Sequence, residues 1–184
     1  MNAIIDTIMT RRSIRAFTPE PITKEQTEAL VNVAVTSPTA RNTLNWHFSF
    51  IQNMDTILEF EKDIVVGIMN GEVEVLKERT KERGNKAVYD APLLVVISAE
   101  PTQYSHIDAG IAVQSLAIAA KSMGLDSVIL GLPALVFEGP RADFWAEKLN
   151  FPKGNEFVIS IAIGHGAMEG NPKTLDTSKV SFIQ

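Results

Sequence analysis

Cysteine does not occur anywhere in the 184 residues of this chain. Its absence excludes disulfide bonds, thiolate metal sites, thiol nucleophiles and redox-active dithiols. The three histidines, His47, His106 and His165, lack the spacing that is typical of a metal site and fit structural or surface positions better. We therefore expect no bound metal ion.

A broad excess of positive charge is also missing. The chain has 17 Lys and Arg against 22 Asp and Glu, so no basic face is available for nucleic acid. Its most apolar segment, 109–120, is interrupted by Gln114 and Ser115 and is shorter than the ~20 residues that cross a bilayer. The first six residues lack the basic and apolar runs of a signal peptide. We expect a cytoplasmic protein without nucleic-acid or membrane partners.

The motifs of several common enzyme classes are missing as well. No Gly-x-Gly-x-x-Gly, Walker or Gly-x-Ser-x-Gly motif occurs in the chain. We therefore find no side-chain machinery for hydrolysis and name no catalytic residue. If the chain is an enzyme, its reactive chemistry belongs to a bound cofactor.

Hydrophobic periodicity predicts helices and strands that alternate over the whole chain, after two opening helices. The predicted strands are 46–52, 92–98, 126–130 and 156–163. The helical stretch 55–83 is expected to break near Gly67 and Gly71. Because no linker or internal repeat divides the sequence, we predict a single α/β or α+β domain over residues 1–184.

A cationic cluster follows the first predicted helix, at Arg11-Arg12-Ser13-Ile14-Arg15. In an extended segment Arg11, Ser13 and Arg15 would point the same way, and two guanidinium groups with a hydroxyl suit a phosphate. The alternative is that the arginines complement the negative end of the preceding helix. Spacing alone does not separate the two interpretations.

A second unusual stretch, 37–46, is dense in turn formers and small side chains. Small residues let the backbone approach a flat ligand, and Thr39 and Asn42 supply hydrogen-bonding groups. The alternative is an ordinary helix-to-strand loop with Trp46 in the core. Taken alone, this stretch favours the ordinary loop.

Taken together and in this order, the two stretches resemble the nitroreductase family of FMN-dependent oxidoreductases. Residues 11–17 look like that family's opening Arg-Arg-Ser-x-Arg-x-Phe motif, and 37–46 resembles its second FMN-contacting loop. Ala91-Pro92 before an apolar strand, Asp108-x-Gly110, and Ile163-Gly164 are similar to later parts of the family. The resemblance covers essentially the full chain.

The resemblance implies an α+β fold, with a mixed, mainly antiparallel sheet flanked by helices in an intertwined homodimer. FMN would lie at the dimer interface, the small-residue helix 105–123 would form part of that interface, and the tail after Gly164 would cross to the partner. NAD(P)H would deliver hydride to the flavin in a ping-pong cycle, and a nitroaromatic, quinone or similar acceptor would then be reduced.

Two alternatives stay open, namely flavin-dependent dehalogenation or an oxidation of a ring or thioether on the same scaffold, and a non-catalytic flavin-binding module. The chain has Leu44-Asn45 where many members have Gln-Pro, and its segment 61–85 has no match in the family. Both departures leave the substrate undetermined.

The family's cofactor contacts are carried over by position. Arg11 would bind the FMN phosphate, Ser13 the phosphate or ribityl chain, and Arg15 the phosphate end or the N1/O2 edge of the ring. A backbone N–H of 129–131 would face flavin N5, and Lys173 would close on the phosphate, with Lys179 as the fallback. The full expected set is Arg11, Arg12, Ser13, Arg15, Pro38, Thr39, Ala40, Asn42, Asn85 (or Lys86), Ile129, Leu130, Gly131 and Lys173.

Overall fold

The computed structural model describes residues 2–184. The helices are α1 (Ala3–Thr10), α2 (Lys24–Val35), α3 (Met54–Asn70), α4 (Glu74–Glu82), α5 (Ser105–Ser122), α6 (Ala134–Phe137) and α7 (Ala142–Lys148). The strands are β1 (Trp46–Ile51), β2 (Leu93–Ala99), β3 (Asp126–Leu130) and β4 (Glu156–Gly164). Short 3-10 turns occur at Ala40–Asn42 and Thr177–Lys179.

The four strands form one sheet in the order β1-β2-β4-β3, and every neighbouring pair is antiparallel. One parallel bridge, between Ser13 and Ser127, extends the sheet at the free edge of β3. The predicted α+β fold, with a mainly antiparallel sheet flanked by helices, is therefore confirmed. Its parallel component is confined to that bridge.

The hydrophobic core lies on both faces of the sheet, and β2 runs between its two halves. All seven residues of β2 are buried, as the uninterrupted apolar run predicts. Leu94 and Val96 pack into the cluster that contains residues of α3 and α7, whereas Leu93 and Val95 pack into the cluster that contains residues of α2 and α5. None of the helices in residues 2–184 combines the length and apolar character that a bilayer crossing requires.

The predicted break near Gly67 is wrong, because α3 continues through Gly67 to Asn70. A Cβ atom at Gly67 would lie 2.8 Å from the Cβ of Leu135 in α6. Glycine therefore serves close packing between α3 and α6 at this position and does not end the helix. The second predicted break is confirmed, since α3 ends at Gly71.

A charged network joins α3 to the start of α7. The guanidinium group of Arg141 contacts both Glu59 and Asp63 at 2.7 Å. The indole Nε1 of Trp145 donates to Asp63 Oδ2 at 2.6 Å, and the Trp145 side chain is fully buried. Asp63 is therefore the only acceptor, among the described residues, of the buried indole N–H of Trp145.

We expect Asp63→Ala to lower the free energy of unfolding by about 1–3 kcal/mol, because the buried indole N–H of Trp145 loses its acceptor. Asp63→Asn keeps a carbonyl oxygen at this position and should lose less. Urea unfolding of the two variants beside the wild type measures the difference. An Asp63→Ala protein as stable as the wild type would show that this hydrogen bond does not support the core.

Candidate functional site

The arginine cluster lies along the free edge of β3. The Arg11 N–H closes α1 by donating to Thr7 O at 3.0 Å, and the chain then becomes extended. The Ile14 N–H donates to Ser127 O at 3.0 Å, which fixes the cluster beside β3. Farther along, Ala16 O accepts from the Ala167 N–H at 2.8 Å, so the segment also pairs with the chain that leaves β4.

Side chains of the cluster alternate between two sides of the segment. A Cβ atom at Gly170 would lie 2.3 Å from Arg12 Cβ and 3.3 Å from Ile14 Cδ1, so Arg12 and Ile14 both face the tail of the chain. Ile14 is buried there, whereas Arg15 is exposed. Successive residues of an extended chain point to opposite sides, which places Arg11, Ser13 and Arg15 together on the other side, as predicted.

Arg12 binds backbone oxygens. Its Nη1 donates to Met9 O at 2.8 Å and to Arg11 O at 2.7 Å, and its Nε donates to Asn171 O at 2.9 Å. The helix-end interpretation therefore holds for Arg12, since Met9 lies in the last turn of α1. Only Nη2 of this guanidinium group is left for a ligand.

The guanidinium groups of Arg11 and Arg15 differ from that of Arg12 because they are not committed to several backbone carbonyls of the described chain. Within residues 2–184, neither guanidinium group has an acidic partner within salt-bridge distance. Arg15 Nη1 is 3.5 Å from Ser13 O, at the limit of a hydrogen bond. Two cations on one side of the segment are thus available to an anion from outside the chain.

The end of β3 presents backbone donors to the same edge. Donors and acceptors of successive strand residues point to opposite edges, and Ser127 faces the arginine segment. Ile129 and Gly131 therefore face that segment as well, whereas Leu130 faces β4, where it pairs with Ser160. The N–H of Gly131 has no acceptor in the part of the chain that the structure describes. The sequence-predicted segment 129–131 thus shares one edge with the arginine cluster.

The loop 37–45 is held by a carboxylate of α5. Asp108 is almost fully buried, and its Oδ1 accepts from the Ala40 N–H at 3.0 Å. Thr39 Oγ1 accepts from the Leu44 N–H at 3.0 Å, which closes the turn. The structure places Pro38, Thr39, Ala40 and Asn42 in this turn, at the surface or partly buried.

The same turn has an unusual backbone. Arg41, Asn42 and Leu44 have φ angles of 57, 54 and 48 degrees, in the left-handed region that residues other than glycine seldom adopt. Among the described residues no hydrogen bond joins this loop to the arginine cluster. The two sequence stretches are therefore not joined directly within one chain.

The segment after α4 places Asn85 at the surface. Gly84 and Asn85 end α4 with positive φ angles of 67 and 59 degrees. The amine of Lys86 pairs with the carboxylate of Asp90, whereas the Asn85 amide has no hydrogen-bond partner among the described residues. Of the two sequence-predicted alternatives, Asn85 is the one with a side chain open to a ligand.

Glu61 holds this segment in place, and sequence reasoning missed it. Its Oε1 accepts from the N–H groups of Ala87 at 2.7 Å, Val88 at 2.6 Å and Tyr89 at 3.3 Å. Glu61 is buried on α3 beside Phe60. A carboxylate on the apolar face of a predicted helix was the available signal, because burial of such a group requires partners.

The tail brings Lys173 towards the cluster. Asn171 O accepts from Arg12, so the Cα of Lys173, two residues on, lies within about 7 Å of the Asn171 Cα. Lys173 is exposed and has no acidic partner among the described residues. Lys179 is paired with Asp176 at 3.5 Å. Of the two lysines, Lys173 is therefore the one without an acidic partner in the described chain, and its part of the tail lies on the Arg12 side of the segment.

The site so described contains cations and backbone donors, and no acid–base pair. No group of three or more acidic, histidine or cysteine side chains in residues 2–184 could hold a metal ion. The arrangement can bind an anion at the arginines and an acceptor atom at the Gly131 N–H. It supplies no nucleophile of its own.

Comparison with known proteins identifies relatives over most of the chain. A sequence model of the Nitroreductase family matches residues 8–165. The chain is 30% identical to an FMN reductase (NADPH) of Bacillus subtilis, over 91% of this chain and 67% of that protein. It is 26% identical to an NADPH-flavin oxidoreductase of Vibrio harveyi, over 90% of this chain and 66% of that protein. The chain thus spans about two thirds of the length of these relatives.

Solved structures give the same relationship over full length. A Desulfitobacterium hafniense nitroreductase with bound FMN is 30% identical and superimposes with a TM-score of 0.95, with 100% of each chain covered. A Bacteroides fragilis nitroreductase with bound FMN shares the fold at 23% identity and a TM-score of 0.89, again over 100% of each chain.

Proposed function

Because the chain belongs to the nitroreductase family, we propose that it is an FMN-dependent oxidoreductase that uses NAD(P)H to reduce a nitroaromatic, quinone or similar acceptor. The observation that carries the proposal is the shared edge of β3. There, within residues 2–184, the arginine segment contributes two arginines without an acidic partner, and the adjacent end of β3 contributes a backbone N–H without an acceptor.

The residues present fit FMN in both charge and donor type. A phosphate dianion requires cations, and Arg11 and Arg15 have none of their charge neutralised by a carboxylate in the described chain. A flavin ring edge presents acceptor atoms, and Gly131 offers an N–H that has no acceptor among residues 2–184.

Each part of the site has a separate task in the proposed activity. Bound FMN would supply the redox chemistry. NAD(P)H would be the electron donor, and the acceptor would bind after the oxidised donor has left, in a ping-pong cycle. Arg11 and Arg15 would hold the phosphate, and Ser13 would bind the phosphate or the ribityl chain. Lys173 would close on the phosphate by reaching from the Arg12 side of the segment. Within 129–131, the N–H groups of Ile129 and Gly131 would orient the ring edge. No side chain is required to act as an acid or a base.

The remaining expected contacts belong to the loop and to Asn85. Pro38, Thr39, Ala40 and Asn42 would line the ribityl chain and ring edge, and Asn85 would reach the pyrimidine edge. Arg12 contributes mainly by fixing the cluster, with one free guanidinium nitrogen for the ligand. We propose that residues 1–184 form a single FMN-binding domain, since one sheet carries the core on both of its faces. The cytoplasmic location stays a prediction.

We also propose that the chain forms a homodimer with FMN at the interface. Within residues 2–184, α1 has no buried residue, and its Ile4 and Ile5 are 66% and 51% exposed. The neighbouring α5 exposes Ile107, and the tail exposes Phe182 and Ile183. A second subunit that covers these residues could also bring its loop 37–45 to the arginine cluster.

The first prediction concerns the purified protein. It should be yellow with the absorption bands of flavin, and anaerobic NADH or NADPH should bleach these bands until an acceptor restores them. Absorbance spectroscopy before and after each addition measures this. A protein that is colourless and binds no added FMN would contradict the proposal, and bound FMN that NAD(P)H does not reduce would favour a non-catalytic flavin-binding module.

The second prediction separates phosphate binding from ring binding. In Arg11→Ala with Arg15→Ala the affinity for FMN should fall about 10- to 100-fold, because charge-assisted hydrogen bonds to the phosphate are lost. Riboflavin, which has no phosphate, should bind as it does to the wild type. Fluorescence titration with both ligands makes the comparison.

A matched control removes one positive charge elsewhere. Arg79 is exposed on α4, so Arg79→Ala should leave both affinities unchanged. Equal losses for FMN and riboflavin in the double variant would show that the arginines support the fold and do not bind phosphate.

The third prediction concerns assembly. Light scattering of the eluting protein should give about twice the chain mass of 20.2 kDa. Replacement of Ile4 and Ile8 by Asp, on the exposed apolar side of α1, should shift the mass towards that of one chain, because burial of a charge at an interface is unfavourable. A wild-type protein with the mass of one chain would contradict the dimer.

A further inference from the structure

We propose that Ser160 is a positioning residue for the flavin site. Its buried hydroxyl fixes the Leu130–Gly131 peptide and strengthens the Gly131 N–H as a donor to the oxidised flavin ring. The proposal rests on the proposed function, because it assigns the acceptor of that N–H to FMN.

Ser160 has an unusual environment for a polar residue. It lies in β4 between Ile159 and Ile161, and its side chain is fully buried. A buried hydroxyl is unfavourable unless it is hydrogen-bonded. Its Oγ donates to Leu130 O at 2.9 Å, across the last pair of the β3–β4 register. The hydroxyl therefore has one specific partner, at the place where β3 ends.

The geometry of the peptide bond transmits this contact to the site. The C=O of Leu130 and the N–H of Gly131 belong to one planar trans peptide, so they point in opposite directions. Because the carbonyl points to β4 and Ser160, the N–H points to the free edge beside the arginine cluster. That N–H has no acceptor in the part of the chain that the structure describes.

The peptide that follows is also held. Gly131 O accepts from the Ala134 N–H at 3.1 Å, in the turn that leads into α6. Ser160 on one side and Ala134 on the other thus restrict rotation of the backbone around Gly131. Glycine is otherwise the most mobile residue of a backbone, so this restraint matters for the direction of its N–H.

The hydrogen bond also changes the strength of the donor. A carbonyl that accepts a hydrogen bond polarises its peptide, and the N–H at the other end becomes a better donor. Oxidised flavin has an acceptor at N5, whereas the two-electron-reduced ring has an N–H there. A stronger N–H donor therefore favours binding of oxidised FMN over reduced FMN.

The test compares the dissociation constants of oxidised FMN and of dithionite-reduced FMN. In Ser160→Ala the ratio of the constant for oxidised FMN to that for reduced FMN should rise about 1.5- to 3-fold, because the Gly131 N–H keeps its hydrogen bond to the ring but loses part of its polarisation and orientation. A threefold change corresponds to about 14 mV in the two-electron potential. Ser160→Cys, with a weak S–H donor, should give an intermediate ratio.

Ser49→Ala is the matched control. Ser49 is also a buried strand serine, and its Oγ donates to Leu149 O at 2.5 Å, outside the candidate site. This variant loses the same kind of hydrogen bond, and its affinity ratio should equal that of the wild type. An unchanged ratio in Ser160→Ala, or an equal change in Ser49→Ala, would overturn the role of Ser160.

A second measurement needs no cofactor. In the FMN-free protein the amide proton signal of Gly131 should move upfield in Ser160→Ala and stay in place in Ser49→Ala. A Gly131 signal that stays in place in Ser160→Ala would overturn the proposal at its structural step. If the wild type binds no FMN, the proposed function fails and the assignment of the acceptor fails with it. If FMN binds and only the ratio stays constant, the proposed function stands and the role of Ser160 does not.

Discussion

The candidate site depends on one backbone hydrogen bond, from the Ile14 N–H to Ser127 O. This bond adds the arginine segment to the free edge of β3, and the alternation of an extended chain then decides which side chains face outward. Arg12 and Ile14 turn to the tail, so Arg11, Ser13 and Arg15 turn to the opposite side. The same pairing aligns the segment with the end of β3, where the N–H groups of Ile129 and Gly131 face the same edge.

The arginines of the cluster differ in what they contact within the described chain. Arg12 binds the carbonyl groups of Met9, Arg11 and Asn171, and so connects α1, the cluster and the tail. The helix-end interpretation is therefore confirmed for Arg12, and the anion-binding interpretation stays a prediction for Arg11 and Arg15. Because Arg12 holds the backbone, Arg11 and Arg15 can present charge to a ligand without also carrying the fold.

Local patterns predicted much of this structure, and contacts distant in sequence did not follow from them. The uninterrupted apolar run of β2 and the alternation of the cluster are local, so both were predicted. The contact of Arg12 with Asn171 spans 159 positions, and Glu61 reaches residues 26 to 28 positions away. The contact of Ser160 with Leu130 requires the register of two strands, which periodicity does not specify. The predicted helix break at Gly67 was wrong for a similar reason, since the residue that packs on Gly67, Leu135, lies in another helix.

The central claim is that the free edge of β3 and the arginine segment hold one FMN molecule. A crystal structure of the protein with FMN tests it most directly. The account predicts the phosphate within hydrogen-bond distance of the Arg11 guanidinium group, about 3 Å, and the ring edge at the Gly131 N–H. A phosphate bound elsewhere on the chain, with Arg11 and Gly131 both free of the cofactor, would contradict it.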